Sequence, residues 1–312
     1  MNIEKGIKLS ETTSWKTGGR ASLSLSVNSI NDYKYAINIC KSKSLTPLII
    51  GNTTNLLFCD SDINAVLIKL GGSYDYVNIK NDVVEIGASS YAPFVARYLQ
   101  KNGLSGLEHI VGIPATIGGL VYMNGGSLRK KISDNIVSVT SIDICGNIIV
   151  RSKMECDFSY RHSIFNSTEE LIISVTVRLN KANSNDIRKS CLNILKNRRE
   201  KFPRKLPNCG SVFKSSPSLY EAFGPPGKII EDLGLKGQII GGAKISNVHA
   251  NFITNENLGL STDILSLIFL IKDKVKEKHE IDIDTEVIYV DECGALIDIN
   301  ELYNKVRCKS AG

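Results

Sequence analysis

A chain of 312 residues, 42% hydrophobic and 22% charged, has ordinary globular composition and enough apolar mass for two or three packed units. Its net charge of +6 is too mild for a nucleic-acid binder and fits an anionic small-molecule substrate. Eight cysteines without C-x-x-C spacing read as reduced thiols, which argues against a disulfide framework or a bound metal. The first residues lack the apolar core of a signal peptide, and the longest apolar run, 264–271, is too short to span a bilayer. A cytoplasmic protein with no membrane partner is expected.

Residues 12–20, TTSWKTGGR, form a turn-rich entry in which Trp15 reads as a packing anchor. A strand follows at 21–27, then a helix over 29–43 burying Tyr33, Ala36, Ile37 and Cys40. From Pro47 two apolar runs flank Gly51-Asn52-Thr53-Thr54-Asn55. Backbone N–H groups and short side-chain donors in that layout suit a diphosphate, and taken alone it also reads as an ordinary hairpin. Short strands dominate 64–87, and 91–102 is a helix with Phe94, Val95, Tyr98 and Leu99 as its buried stripe, stopped by Gly103.

Residues 106–127 carry glycines at 106, 112, 118, 119, 125 and 126 around Ile113-Pro114-Ala115-Thr116. Such a stretch is either an anion-binding nest for a phosphate or flavin ring, or a glycine-rich turn between buried strands. Strands are expected at 136–144, 147–151 and 171–179. No G-x-G-x-x-G follows a strand and opens a helix, so a Rossmann site has no support. Within FSYRHSIF, Arg161 cannot deprotonate and sits in an apolar β region. It is either a structural ion-pair member or an anion site, while His162 reads as a hydrogen-bonded histidine.

The helix over 185–201 packs Ile187, Cys191, Ile194 and Leu195 and leaves Arg188, Lys189, Lys196, Arg198, Arg199 and Lys201 in solvent. With Pro203 and Pro207 it reads as a hinge, and the basic run to Lys205 as a solvated face. In NCGSVFK, Ser211 has no nearby G-x-S-x-G elbow and no obvious His/Asp partners, which argues against a serine hydrolase. It is either a proton-donating hydroxyl or a strand serine bonded to backbone. A helix at 225–233, a turn at 236–242, the strand entry HANFITN and a long helix at 262–279 follow. In the strand IDIDTEVIYV, alternation sets Ile281, Ile283, Thr285, Val287 and Tyr289 on one face and Glu286 with Ile288 and Val290 on the other. Glu286 is either a partly desolvated acid or charge partner, or an edge glutamate in water.

The segments TSWKTGG, GNTTNLL, GLEHIVGIPATIGGLVYMNGG, FSYRHSIF, CGSVFK, GLKG…HANFITN and TEV occur in that order. Together they resemble the UDP-N-acetylenolpyruvoylglucosamine reductase (MurB) family. The resemblance implies an α+β fold. A two-lobed FAD-binding region of the PCMH/vanillyl-alcohol-oxidase kind would occupy 1–180 (subdomains 1–72 and 73–180). A helix and hinge at 181–204 and a substrate-binding domain at 205–290 would follow. Residues 291–312 extend beyond the family's usual end and carry no assigned role. The short interval from Arg161 to Ser211 is similar to the branch lacking an extra tyrosine-bearing loop.

The resemblance also implies a chemistry: NADPH reduces non-covalent FAD, and hydride passes to the enolpyruvyl ether of UDP-N-acetylglucosamine, giving UDP-N-acetylmuramate for peptidoglycan. FAD would be held by Gly51, Asn52, Thr53, Thr54, Asn55, Gly112, Ile113, Pro114, Ala115, Thr116, Gly118, Gly119, Asn124 and Gly125. Arg161 would polarise the substrate carboxylate with Glu286 assisting, and Ser211 would protonate the α-carbon. Tyr160, Lys214, His249 and Asn251 would contact the UDP-sugar substrate or shape its pocket. A monomer or weak oligomer is expected. Thr53 stands where the family usually has glycine and would crowd the diphosphate; Ala115 and Gly125-Gly126 are further departures. They leave open a related enzyme of a secondary or surface-polysaccharide pathway, a flavin oxidase, or a degenerate binder.

Overall fold

The period-two runs of the middle of the chain form a five-stranded sheet in the order Ile148–Ser152, Ile136–Ile142, Leu171–Arg178, Val83–Gly87, Val77–Lys80. Every neighbouring pair is antiparallel. Alternate residues share a face, so Val84, Ile86, Val139, Val175 and Val177 all point into one core. The computed structural model describes residues 2–203 and 205–310. Residue 204 of the expected hinge and residues 311–312 of the expected extension lie outside the described residues, as does residue 1.

The chain divides into two compact units. The first gathers Ser24–Asn52 and Val66–Glu200 with a short N-terminal piece; the second gathers Lys5–Leu23, Thr53–Ala65 and the chain from Lys201 onward. The division therefore falls inside GNTTN, between Asn52 and Thr53, and differs from the continuous blocks expected from sequence. Ile187, Cys191 and Ile194 of the helix Ser184–Lys201 join the first unit's core. A further four-stranded sheet has the order Asn2–Lys8, Arg20–Val27, Ile63–Leu70, Thr46–Ile49.

In the first unit, the helix Ile30–Lys43 starts at Ser29, whose hydroxyl accepts from the Asp32 N–H, and buries Tyr33, Ala36, Ile37 and Cys40 as expected. The helix Ala92–Lys101 differs from expectation. Its buried stripe is Ala92, Val95, Ala96 and Leu99, while Phe94 is 56% and Tyr98 37% exposed. Small alanines let the backbone pack closely, and the two rings stack on each other outside at 6.1 Å.

In the second unit, the long helix Ser261–His279 buries Ile264, Leu267, Ile268, Ile271 and Val275. Its first N–H groups find the Asp60 carboxylate, which accepts from Ser261 at 2.7 Å and Thr262 at 3.2 Å. Trp15 is fully buried, and its indole N–H donates to the Ile253 carbonyl at 2.8 Å. Two three-stranded sheets flank this core. One is Ile239–Ile240, Ala243–Ile245, Ile253–Asn255; the other is Leu296–Asp298, Ile288–Val290, Leu56–Phe58, its last pair parallel. Within IDIDTEVIYV only Ile288–Val290 forms a regular strand, and the residues before it make a single bridge, Thr285 to Phe213. Among the described residues the cysteines are free, no group of acidic, His or Cys side chains could hold a metal, and no helix is long and apolar enough to cross a membrane.

Candidate active site

In the first unit the glycine-rich stretch is tied to two other predicted segments. The Asn52 amide donates to the Pro114 carbonyl at 3.2 Å, and a Cβ added to Gly51 would fall 2.6 Å from Thr116 Oγ1. Only glycine lets that loop lie so close to the Ile-Pro-Ala-Thr turn. Thr116 caps the helix Ile117–Tyr122 by accepting from the Gly119 N–H. Gly118 has a packing reason: its N–H donates to the Ala88 carbonyl, and a Cβ there would meet Ala88 at 3.2 Å. Ala115 keeps a negative φ, so alanine in place of glycine adds a methyl group without backbone strain.

Asn124 is buried in a left-handed conformation, φ 42°, and its amide donates to the Ser159 carbonyl at 2.7 Å. Ser159 and His162 close a tight turn on each other through their backbones, with Tyr160 and Arg161 at its tip. The Ser163 hydroxyl anchors the far side of the turn on the Tyr122 carbonyl. Arg161 also has positive φ, 56°, and its guanidinium lies 5.6 Å from the centre of the Tyr160 ring. The glycine belt thus carries the arginine turn directly. One residue was misread from sequence: Arg198 is half-buried, and a Cβ on Gly112 would fall 2.4 Å from its Cδ. Helical spacing placed Arg198 in solvent; nothing local to residues 106–127 signals that it lies over Gly112.

The second unit brings together Asn55, Ser211, Lys214, Asn251 and Glu286. The Glu286 N–H donates to the Val212 carbonyl at 2.7 Å, and the Lys214 N–H to the Asp284 carbonyl at 2.8 Å. The Asn55 amide donates to the Glu286 carbonyl at 2.9 Å. Asn251 acts like a neighbouring strand for Phe213: its Oδ1 accepts from the Phe213 N–H at 2.9 Å and its amide donates to the Phe213 carbonyl at 3.0 Å. Its backbone carbonyl accepts from Val212. His249 Nδ1 accepts from the Asn251 N–H, and its ring packs on Phe202 and Phe252. Burial first, then Lys236, hold its pKa below the ordinary value.

Thr53 also has positive φ, 55°, and is buried. Its hydroxyl accepts from the Ser14 N–H at 3.1 Å, and the Cys209 thiol lies 3.5 Å from its carbonyl as a donor. Burial pushes the Cys209 thiol well up, so it stays a neutral donor. Arg161 belongs to the first unit, and Ser211 and Glu286 to the second.

A family profile described as UDP-N-acetylenolpyruvoylglucosamine reductase, C-terminal domain, matches residues 202–290, and one described as FAD binding domain matches residues 21–152. UDP-N-acetylenolpyruvoylglucosamine reductase 1 of Corynebacterium glutamicum is 36% identical, over 92% of this chain and 86% of its own. The chain belongs to the UDP-N-acetylenolpyruvoylglucosamine reductase family. The Fervidobacterium nodosum member is 38% identical over 90% of this chain and 89% of its own. The crystal structure of the Thermus caldophilus reductase (MurB) superposes with a TM-score of 0.78 at 26% identity, over 93% of this chain and 99% of that one.

Like other members of the reductase family, the chain is an enzyme with an α+β fold: an FAD-binding domain followed by the family's C-terminal domain. The first unit's residues fit the flavin. Asn124 Oδ1 is a buried acceptor with no donor among the described residues, which a donor on the cofactor would satisfy. The next residue, Gly125, has no room for a side chain, since a Cβ there would fall 2.8 Å from Leu120 Cδ2.

Proposed function

We propose that this chain reduces the enolpyruvyl ether of UDP-N-acetylglucosamine to UDP-N-acetylmuramate, with NADPH as electron source, as a step in making peptidoglycan precursors. The observation that carries this reading is the 2.7 Å bond from the Glu286 N–H to the Val212 carbonyl. It lays the carboxylate-bearing residue beside the segment that holds the Ser211 hydroxyl, two groups far apart in sequence.

FAD, when bound, supplies the hydride; the residues that would hold it are 51–55, 112–116, 118–119 and 124–125. Arg161, a cation at every accessible pH, binds the substrate carboxylate and stabilises the negative charge that builds up there. Glu286 assists that polarisation. The Ser211 hydroxyl gives its proton to the carbon beside the carboxylate, which completes the lactyl ether. Tyr160 and Lys214 contact the sugar nucleotide, while His249 and Asn251 shape the site by holding the 212–213 backbone in place.

Mass analysis of the product tests the reading. Incubated with FAD, NADPH and the enolpyruvyl sugar nucleotide, the protein should yield a product that has gained two hydrogens, with one NADPH consumed per product. Consumption of NADPH with the sugar nucleotide left intact would show that the chain acts on something else.

A further inference from the structure

Among the described residues, the stretch 283–286 is paired by backbone on one side, towards residues 212–214. Towards residues 212–214, Asp284 and Glu286 exchange main-chain bonds with Lys214 and Val212. In an extended segment successive peptide groups point in opposite directions, so Ile283 and Thr285 present their groups to the other side. Two side chains meet them there. Lys272 Nζ donates to the Ile283 carbonyl at 2.6 Å, and Asn300 Oδ1 accepts from the Thr285 N–H at 3.1 Å. The two side chains are joined as well, Lys272 Nζ donating to Asn300 Oδ1 at 2.9 Å.

Asn300 lies beyond residues 202–290, the part matched by the reductase profile. It opens the helix Ile299–Ser310, where its own N–H and amide both donate to Asp298 at 2.8 Å. That helix is seated by fully buried Ile299 and by Tyr303, whose hydroxyl donates to Asp273. Lys272 is itself buried, 5% exposed, with its ammonium 5.0 Å from the centre of the Tyr303 ring. A buried ammonium needs its donors satisfied, so Lys272 holds Ile283 and Asn300 firmly.

We infer that Asn300 is a positioning residue for the reaction: with Lys272 it stands in for a missing neighbouring strand and fixes the backbone of 283–285, and through it the placement of Glu286. The C-terminal extension thereby has a catalytic purpose. This rests on the role given above to Glu286.

A double-mutant cycle in the full-length, FAD-loaded protein tests it, using Asn300→Leu, Glu286→Gln and both together. Asn300→Leu should lower kcat for the sugar nucleotide by about 10- to 100-fold, as misplacement of a reacting group does. KM and the rate of flavin reduction by NADPH should stay within about two-fold. In the Glu286→Gln background the same change should have almost no further effect, because its route is already cut. If Glu286→Gln alone turns over normally, the role of Glu286 fails. If Glu286→Gln is slow but Asn300→Leu is either harmless or fully multiplicative with it, the positioning role of Asn300 fails. Should Asn300→Leu not fold, Asn300→Ser, too short to reach both donors, runs the same cycle with the same readings.

Discussion

The main-chain N–H of Glu286 and the main-chain carbonyl of Val212 meet at 2.7 Å, and together with the Lys214–Asp284 bond they tie two segments that are far apart in the chain. Ser211 precedes Val212, so whatever moves one residue of the pair moves the backbone of the other. The account of the second half of the reaction depends on that coupling.

Ser211→Ala removes the proposed proton donor and leaves the backbone bond intact. Turnover of the enolpyruvyl sugar nucleotide should fall by about 10²- to 10⁴-fold, the usual size of a general-acid contribution. Flavin reduction by NADPH should be almost unchanged. Measured separately, equal losses in both half-reactions would take the proton-donor role away from Ser211.

Asn251→Leu strands the N–H and carbonyl of Phe213, which are buried and bonded to the Asn251 side chain. Unpaired buried groups of this kind cost about 2–4 kcal/mol together. Urea denaturation should show a loss of that size, with flavin-side chemistry unaffected in the folded fraction. A variant as stable as the parent would mean the side chain is not the partner that Phe213 depends on.

Thr53 places two effects against each other. A non-glycine residue in the left-handed region costs about 1–2 kcal/mol, while the bond its hydroxyl accepts from Ser14 at 3.1 Å returns about 1 kcal/mol. Thr53→Gly removes both and should change stability by less than about 1 kcal/mol. Thr53→Val keeps the strain and loses the acceptor, so its melting temperature should drop clearly below that of the glycine variant. The reverse order would show that strain at this position is not stored as described.

The pH dependence follows from His249 and His109, both buried and both held below the ordinary value of 6.5 mainly by burial. Below that value the unfolded chain binds protons that the folded chain resists. Their contribution to stability is therefore full above about pH 6.5 and declines as pH falls. Thermal melts from about pH 7 to about pH 5 should show the decline, and His249→Gln should make it shallower. An unchanged slope in that variant would mean His249 takes up its proton freely in the folded state.

Sequence patterning located much of this architecture because it records local periodicity. The helices at Ile30–Lys43 and Ser261–His279, the strand Leu171–Arg178 and the anchor Trp15 were all legible in that way. Failures came where an outcome depends on a distant neighbour. Phe94 and Tyr98 lie outside because Ala92 and Ala96 pack the inner face. Arg198 covers Gly112, although helical spacing alone sends it to solvent. The link from Asn300 through Lys272 to residues 283–285 joins three separate segments, and no spacing rule reports it. Candidate residues such as Asn251 were found by resemblance, whereas their bonding partners needed the fold.

The most direct test mixes protein already reduced by NADPH, without oxygen, with the enolpyruvyl sugar nucleotide while the flavin colour is followed. Rapid return of the yellow colour in the parent, slowed by orders of magnitude in Ser211→Ala and Glu286→Gln, is the predicted result. Colour that returns only when oxygen is admitted, or returns equally fast in all three proteins, would contradict the account.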